Sequence, residues 1–390
     1  MSPSTVPPLL CHLGLRAAVL VSLSLGAACA STAPARGGLV AGAPLPIDAG
    51  WVRLATEPYK AKQDDIVFVD PRRGWYGNGA GKVYRTEDGG ASWRLVWSQP
   101  GTFVRSLGFV DADHGFLGNV GTDYYPGVTD TQPLYETRDG GLTWAPVGPE
   151  RVEGPAVKGI CAIDVVRERR IFQGSLVEQV IIHAAGRVGG PGFVMRSVDG
   201  GQSWRVLDLR DRVGPILDVK FFDARVGLVF AGTHADVERS SALILMTRDG
   251  GDTWREVYRS ARPFELTWKA SFPTREVGYV TIQSYDPDPS VTQRVVAKTI
   301  DGGETWRELP LVDDASVRAF GVGFVDAEVG WVGTSTSGFE TRDGGASWRR
   351  VELGRAVNKI RVVRSAEEAA AYAIGVEVFK LGGHSSGVMK

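Results

Sequence analysis

The chain has 390 residues, 43% hydrophobic, 23% charged and 9% aromatic, a globular composition that excludes a disordered, collagenous or coiled-coil polymer. Lys and Arg number 44 against 45 Asp and Glu, and a net charge of −1 excludes the broad basic field with which proteins hold nucleic acid. Fifty Gly, 21 Pro and 11 Trp against four Met exclude a helical bundle and predict an all-β protein of short strands and tight turns.

Residues 1–30 carry Arg16, the apolar run Ala17–Leu25 and the small residues Gly26–Ala30, the three-part order of an export signal, and are too short to span a bilayer. The cleavage region reads two ways. Ala28-Cys29-Ala30 suits an ordinary signal peptidase, while Leu25-Gly-Ala-Ala-Cys29 resembles a bacterial lipobox, in which Cys29 is lipidated. Ser31–Gly50 is rich in Ala, Pro and Gly and predicts a solvated tether that packs no core. An exported, periplasmic or membrane-anchored bacterial protein is expected. Cys161 is the one remaining thiol, so no internal disulfide is available, and its apolar surroundings Ile160-Cys-Ala-Ile163 predict a small buried side chain.

One octet recurs six times, from Thr86-Glu-Asp-Gly-Gly-Ala-Ser-Trp93 to Thr341-Arg-Asp-Gly-Gly-Ala-Ser-Trp348. Its Asp residues, Asp88, Asp139, Asp199, Asp249, Asp301 and Asp343, are 51, 60, 50, 52 and 42 residues apart, the length of a four-stranded propeller blade. These are Asp boxes. The Asp accepts hydrogen bonds from the amides that follow it, Gly-Gly takes positive φ, and Trp93, Trp144, Trp204, Trp254, Trp306 and Trp348 pack between strands. Six carboxylates on separate blades make no joint acid or metal site, so the octet is read as structural.

A second element precedes most octets, as in Phe68-Val-Asp70 with Gly74-Trp75 and Phe324-Val-Asp326 with Gly330-Trp331, and marks an inner strand, a turn and a second strand. Its third copy is degenerate: Ile160–Val166 and Val180–His183 read as the strands, with Arg167–Glu178 inserted. After Trp348 three strands remain, near Asn358–Val363, Ala371–Ile374 and Val376–Phe379. Trp51-Val-Arg-Leu54 matches the segment after each octet and supplies the fourth, which removes an exposed edge. The fold expected is a seven-bladed β-propeller over residues 51–382, with 383–390 as a tail.

Taken together, the octets, the Phe-Val-Asp-x-x-x-Gly-Trp element and the export signal resemble the photosystem II assembly and stability factor family of cyanobacteria and chloroplasts. The resemblance covers nearly the whole mature chain. It implies a non-catalytic propeller that binds nascent or partly assembled membrane protein, a basic surface patch contributing. Similar boxes occur in sialidases, xyloglucan-cleaving glycosidases and sortilin-type receptors, so a glycan-binding or glycan-cleaving propeller is the alternative. Against it, the chain has no Arg-Ile/Leu-Pro motif of sialidases, one propeller where the xyloglucan enzymes use two, and no Cys-rich module.

The octets and the Asp-x-x-x-Gly turns share one face, and the opposite face carries the longer loops. From the Gly of the second element to the octet Asp is 14 and 13 residues in blades one and six, but 24, 22 and 23 in blades two, four and five. The added residues include Asp123, Tyr124, Tyr125, Arg187, His234, Asp236, Arg239, Tyr285 and Asp286, and Tyr and Arg favour interfaces. Drifting loop length accounts for the same pattern. Six blades place a base at the start of the inner strand, Lys62, Arg105, Lys158, Lys269, Arg318 and Lys359, where blade four has Asp218. They predict a basic funnel for an acidic peptide or carboxylate, unless several turn sideways into ion pairs with Asp64 or Asp65. His114, His183, His234 and His384 have no metal-ligand spacing and no Gly-rich loop precedes a helix. Neither metal nor cofactor is expected, and the chain is read as a monomer.

Overall fold

A computed structural model describes residues 43–172 and 174–382; the export signal with Cys29, the tether to residue 42 and the tail at 383–390 lie outside the described residues. The six octets fold alike. In the first, Thr86 Oγ1 donates to Asp88 Oδ1 at 2.8 Å and accepts from the Gly90 amide at 2.8 Å. Asp88 also accepts from the Ser92 amide at 2.9 Å and, on its other oxygen, from the Ser92 hydroxyl at 2.6 Å. The same Asp-centred bonds recur around Asp139, Asp199, Asp249, Asp301 and Asp343. Both glycines of every octet have positive φ, which a Cβ would strain.

These turns close the outer hairpins of six of seven sheets. Each sheet has an inner strand: Gln63–Phe68, Val104–Phe109, Ala162–Phe172, Ile216–Phe221, Glu265–Ser271, Ala319–Phe324 and Lys359–Arg364. Every inner strand lies against the next, and Lys359–Arg364 lies against Gln63–Phe68. The seventh sheet takes its outermost strand from the N-terminal side, Trp51–Arg53 pairing antiparallel with Val378–Leu381. This is the arrangement of an all-β propeller. Among the described residues the only helical segments are two 3-10 turns, Pro149–Arg151 and Val237–Arg239, and no helix is long and apolar enough to cross a membrane.

Aromatic packing explains the second element. A Cβ on Gly74 would come within 2.4 Å of the Phe68 ring, and Gly115, Gly227, Gly278 and Gly330 are covered in the same way by Phe109, Phe221, Phe272 and Phe324. The octet Trp meets that Phe edge-on, as in Phe109–Trp144 at 6.0 Å and Phe221–Trp254 at 6.3 Å. In the third sheet, which lacks this Phe, Phe116 of the neighbouring sheet takes its place against Trp204 at 5.4 Å. Trp204 and Trp254 are buried, and Trp93, Trp144, Trp306 and Trp348 are partly buried. Between sheets, Trp75 stacks on Phe109 and Tyr279 on Phe324, with centroids 3.7 and 3.5 Å apart.

Two expectations are corrected. Arg167–Glu178 is no insertion between short strands: Ala162–Phe172 and Ser175–Gly186 pair without interruption as one long hairpin, the backbone ladder needing no apolar alternation where both of its faces meet solvent. The third sheet also gains a fifth strand, Val152–Glu153, parallel to Trp204–Asp208. The tether, for its part, packs core from Leu45, which is buried against the last sheet with Ile47 beside it. Two apolar side chains that join the cluster of Trp331, Leu353 and Phe379 outweigh the flexible composition around them.

Candidate functional site

The inner strands begin on the side opposite the octets, and four of the six bases expected there converge. Lys62, Arg105, Lys269 and Lys359 share a centre with Asp64 and Asp218. Arg105 is 1% exposed and ion-paired to Asp64, whose Oδ1 is also 3.0 Å from Lys62 Nζ. Lys359 Nζ lies 3.4 Å and Lys269 Nζ 3.9 Å from Asp218 Oδ1, and Lys269 also donates to the Leu217 carbonyl at 2.5 Å. Four cations face two carboxylates, while nearby Asp65 is paired with Arg361 at 3.5 Å.

Burial dominates the electrostatics here. It lowers the Lys269 ammonium to about 7 and Lys62 to about 8, against the pull of Asp218 and Asp64. Burial opposes the Asp218 charge too, but Lys359 and Lys269 outweigh it and hold the carboxyl below its ordinary range.

Two residues that sequence reasoning missed organise this centre. Asn358 accepts from Lys62 Nζ at 3.2 Å and from the Trp268 indole at 2.9 Å, and donates to the Asp64 carbonyl at 2.7 Å, so it joins three sheets. Trp268 lies under the Arg105 guanidinium, 5.3 Å from ring centroid to Cζ. A signal for Trp268 existed: of the Trp residues outside the octets it alone stands in an inner strand. Asn358 carried none, since a lone Asn at a strand start is common in turns.

The open basic funnel is therefore corrected. Lys269, Arg105 and Lys359 are buried and partnered, because desolvated cations at the axis require carboxylates and carbonyls. Lys158 and Arg318 are exposed and stand outside this cluster. Arg318 covers the Tyr285 ring at 4.4 Å.

Of the loop residues, Tyr124, Tyr125 and Tyr285 gather above the centre. Tyr125 stacks on Phe103 at 4.7 Å and Tyr124, 47% exposed, meets Tyr125 edge-on at 4.8 Å. Phe103, Tyr125, Tyr285 and Phe320 roof an apolar floor that includes Val188, Leu217 and Cys161. Burial pushes the Tyr125 phenol up to about 12, so it stays a neutral donor. Cys161 is buried, its sulfur accepting from the Val188 amide at 3.1 Å. Arg187 is spent on the Thr122 and Gly190 carbonyls at 2.8 and 3.0 Å. His234 accepts from the Asp236 amide, and Asp236 caps the turn that ends in exposed Arg239. Asp123 is exposed with positive φ, and Asp286 accepts from the Asp288 amide. Among the described residues no three His, Cys, Asp or Glu side chains gather as a metal site.

No protein-family model matches the chain, and no curated protein matches it in sequence. Solved structures do. A structure of YCF48 bound to D1 peptide is 15% identical with a TM-score of 0.58, covering 90% of this chain and 99% of that one. YCF48 from Cyanidioschyzon merolae is 17% identical at 0.58, over 85% of this chain and 98% of that one. An ancestral GH74 enzyme is 14% identical at 0.60, over 88% of this chain but 46% of the enzyme, and the WD40 propeller domain of Doa1 is 11% identical at 0.56, over 86% and 98%. The fold is a β-propeller. Identities this low carry the architecture and no activity.

Proposed function

We propose that this chain is an exported, non-catalytic, closed seven-bladed propeller that binds a partner protein, in the manner of an assembly or stability factor for a membrane protein. The observation that carries the reading is the roof over the axis, where exposed Tyr124, stacked Tyr125 and the Arg318–Tyr285 pair present aromatic and cationic groups together. The likeness to YCF48 bound to D1 peptide supports a peptide as occupant. In this reading residues 1–30 direct export, Cys29 carries the lipid, no cofactor is used, and the protein acts as a monomer. The cations beneath the apolar floor and exposed Arg318 on the Tyr285 ring favour an acidic segment in the partner.

The test is capture from mildly solubilised membranes of the native host with protein tagged at Lys390, wild type against a Tyr124→Ala/Arg318→Glu variant, read by quantitative mass spectrometry. A membrane protein lost from the variant supports the reading; equal capture rejects the roof as the site. Lys269 is unsuitable for charge reversal, since a buried Glu there tests folding. A second reading, glycan binding or cleavage, draws on the GH74 likeness. Release of oligosaccharides from xyloglucan by purified protein would replace the first reading with it.

A further inference from the structure

The third sheet departs from the others on the octet side. In five sheets the first octet Gly donates its amide to the turn between strands one and two: to Arg72, Asp113, Arg225, Glu276 and Glu328. In the third sheet Gly200 donates instead to Val180, which lies within a strand, at 3.1 Å. Five further residue pairs, Glu168↔Gln179 to Phe172↔Ser175, continue past that bond, so the hairpin extends about 17 Å beyond the level of the other turns.

Beside its tip the described apolar side chains are exposed. Ile171 and Leu176 pair directly across the strands and are 79% and 68% exposed, and Val177 is 44% exposed. Behind the tip, Arg167, Arg169 and Arg170 are all exposed. Arg167 pairs with Glu178 and Arg170 with Glu168, and Arg169 has no carboxylate within ion-pair distance among the described residues. Exposed Arg225 and Arg248 line the cleft beside Arg169 and Arg170 together with Glu168 and Asp223; Arg248 is paired with Glu304, and Arg225, like Arg169, has no carboxylate within ion-pair distance among the described residues. Of the eight large apolar side chains exposed among the described residues, Leu142, Ile171, Leu176, Val177, Val198 and Ile300 lie in this hairpin or in octets. The apolar excess is confined almost entirely to one face.

The start of the described chain lies on that face as well. The Ala43 amide donates to Ser365, in the turn between Lys359–Arg364 and Ala369–Ile374, and Asp48 pairs with Arg342 of the last octet at 2.7 Å. Ala43 follows Cys29 by fourteen positions, and a chain of that length reaches at most about 50 Å.

We infer that the Ala162–Gly186 hairpin is a membrane-contact arm, its Ile171 and Leu176 side chains entering the acyl region of an anionic bilayer while the arginines behind them meet the headgroup phosphates. An apolar pair followed by a cationic collar matches the two layers that a bilayer surface offers in sequence. The octet face then meets the membrane and the aromatic roof points away from it. The inference goes beyond peptide binding by the roof, and the hairpin geometry stands without the lipid on Cys29.

The experiment uses the mature full-length chain with Cys29→Ala, so that no acyl group contributes, and vesicles of phosphatidylglycerol and phosphatidylethanolamine. The protein is expected to sediment with these vesicles, and an added Ile171→Asp/Leu176→Asp pair to lower the partition coefficient about tenfold or more, with thermal unfolding little changed because both side chains are mostly exposed. A separate Ile171→Trp variant is expected to shift its emission to the blue on vesicle addition. Equal partition of the Asp variant, or no sedimentation of the Cys29→Ala protein, overturns the inference. A blue shift that follows protein concentration without vesicles also overturns it, and identifies a second copy as the occupant. Partner capture by the Asp variant reports separately on the roof, so the two readings fail independently.

Discussion

Tyr372 of the last sheet stacks on Phe68 of the first, with centroids 3.9 Å apart and planes 12° from parallel. Its hydroxyl donates to the Gly89 carbonyl at 3.0 Å, so the last sheet also grips the first octet. Tyr372→Ala removes both the stack and this bond and is expected to destabilise the fold by about 3–5 kcal/mol. Tyr372→Phe, which keeps the stack, should cost about 1 kcal/mol. Urea unfolding of the two variants measures the difference, and equal losses would show that the ring does not contribute to the contact between the first and last sheets.

Asp218 is the only carboxylate within 4 Å of Lys269 or Lys359 among the described residues. Asp218→Ala leaves two desolvated cations without it, and a loss of about 3–5 kcal/mol is expected. Lys269 supplies a pH test. Its folded-state value is lowered from 10.5 to about 7, so between these values the unfolded chain holds more protons than the native one. Stability from this group therefore rises as pH climbs from about 7 toward 10, by roughly a few kcal/mol. Urea denaturation of wild type and Lys269→Met across that window should show wild type gaining on the variant; a parallel pair of curves would contradict the lowered Lys269 value.

Acid sensitivity should trace to the octets. At Asp343 the Ser347 hydroxyl and amide bonds hold the carboxyl down to about 2, and the Thr341 hydroxyl adds to them. The folded value lies below the unfolded one, so the contribution is present above about pH 4 and is lost as pH falls through the folded value. Ser347→Ala is expected to move the Asp343 titration upward, toward the ordinary carboxylate range, as read by carboxyl-carbon NMR.

The two glycines of one octet should differ. Gly200 has φ +70 with open space around it, its nearest neighbour standing 3.9 Å from a built Cβ, whereas a Cβ on Gly201, at φ +92, would fall 2.4 Å from the Phe116 ring. Gly200→Ala meets backbone strain alone, about 1–2 kcal/mol. Gly201→Ala adds a clash between sheets and is expected to cost about 1–3 kcal/mol more. Thermal unfolding ranks them.

How much of this was legible depended on the range of the interactions. The octet bonds run over about eight residues, and each Phe covers a Gly six residues further on, so local chemistry alone specified the turns, the strand order within a sheet and the all-β class. The third hairpin was misread because its paired strands carry charge on both faces, where no core enforces alternation. The roof residues Tyr124, Tyr125 and Tyr285 were picked from loop length, which survives folding as proximity.

The fate of the inner-strand bases could not be read the same way. Five inner strands shift register near their starts, between Gln63 and Asp65, Val104 and Ser106, Ile216 and Asp218, Thr267 and Ala270, and Ala319 and Val322. A bulge interrupts the two-residue alternation, so position in the strand no longer tells which way a side chain points. Sequence by itself determined the repeats and the sheets they build. Only the tertiary structure decided that Arg105 and Lys269 turn into the packed axis toward Asp64 and Asp218 while Arg318 stays in solvent on Tyr285, because those partners come from other sheets, 41 and 51 residues away from the first two.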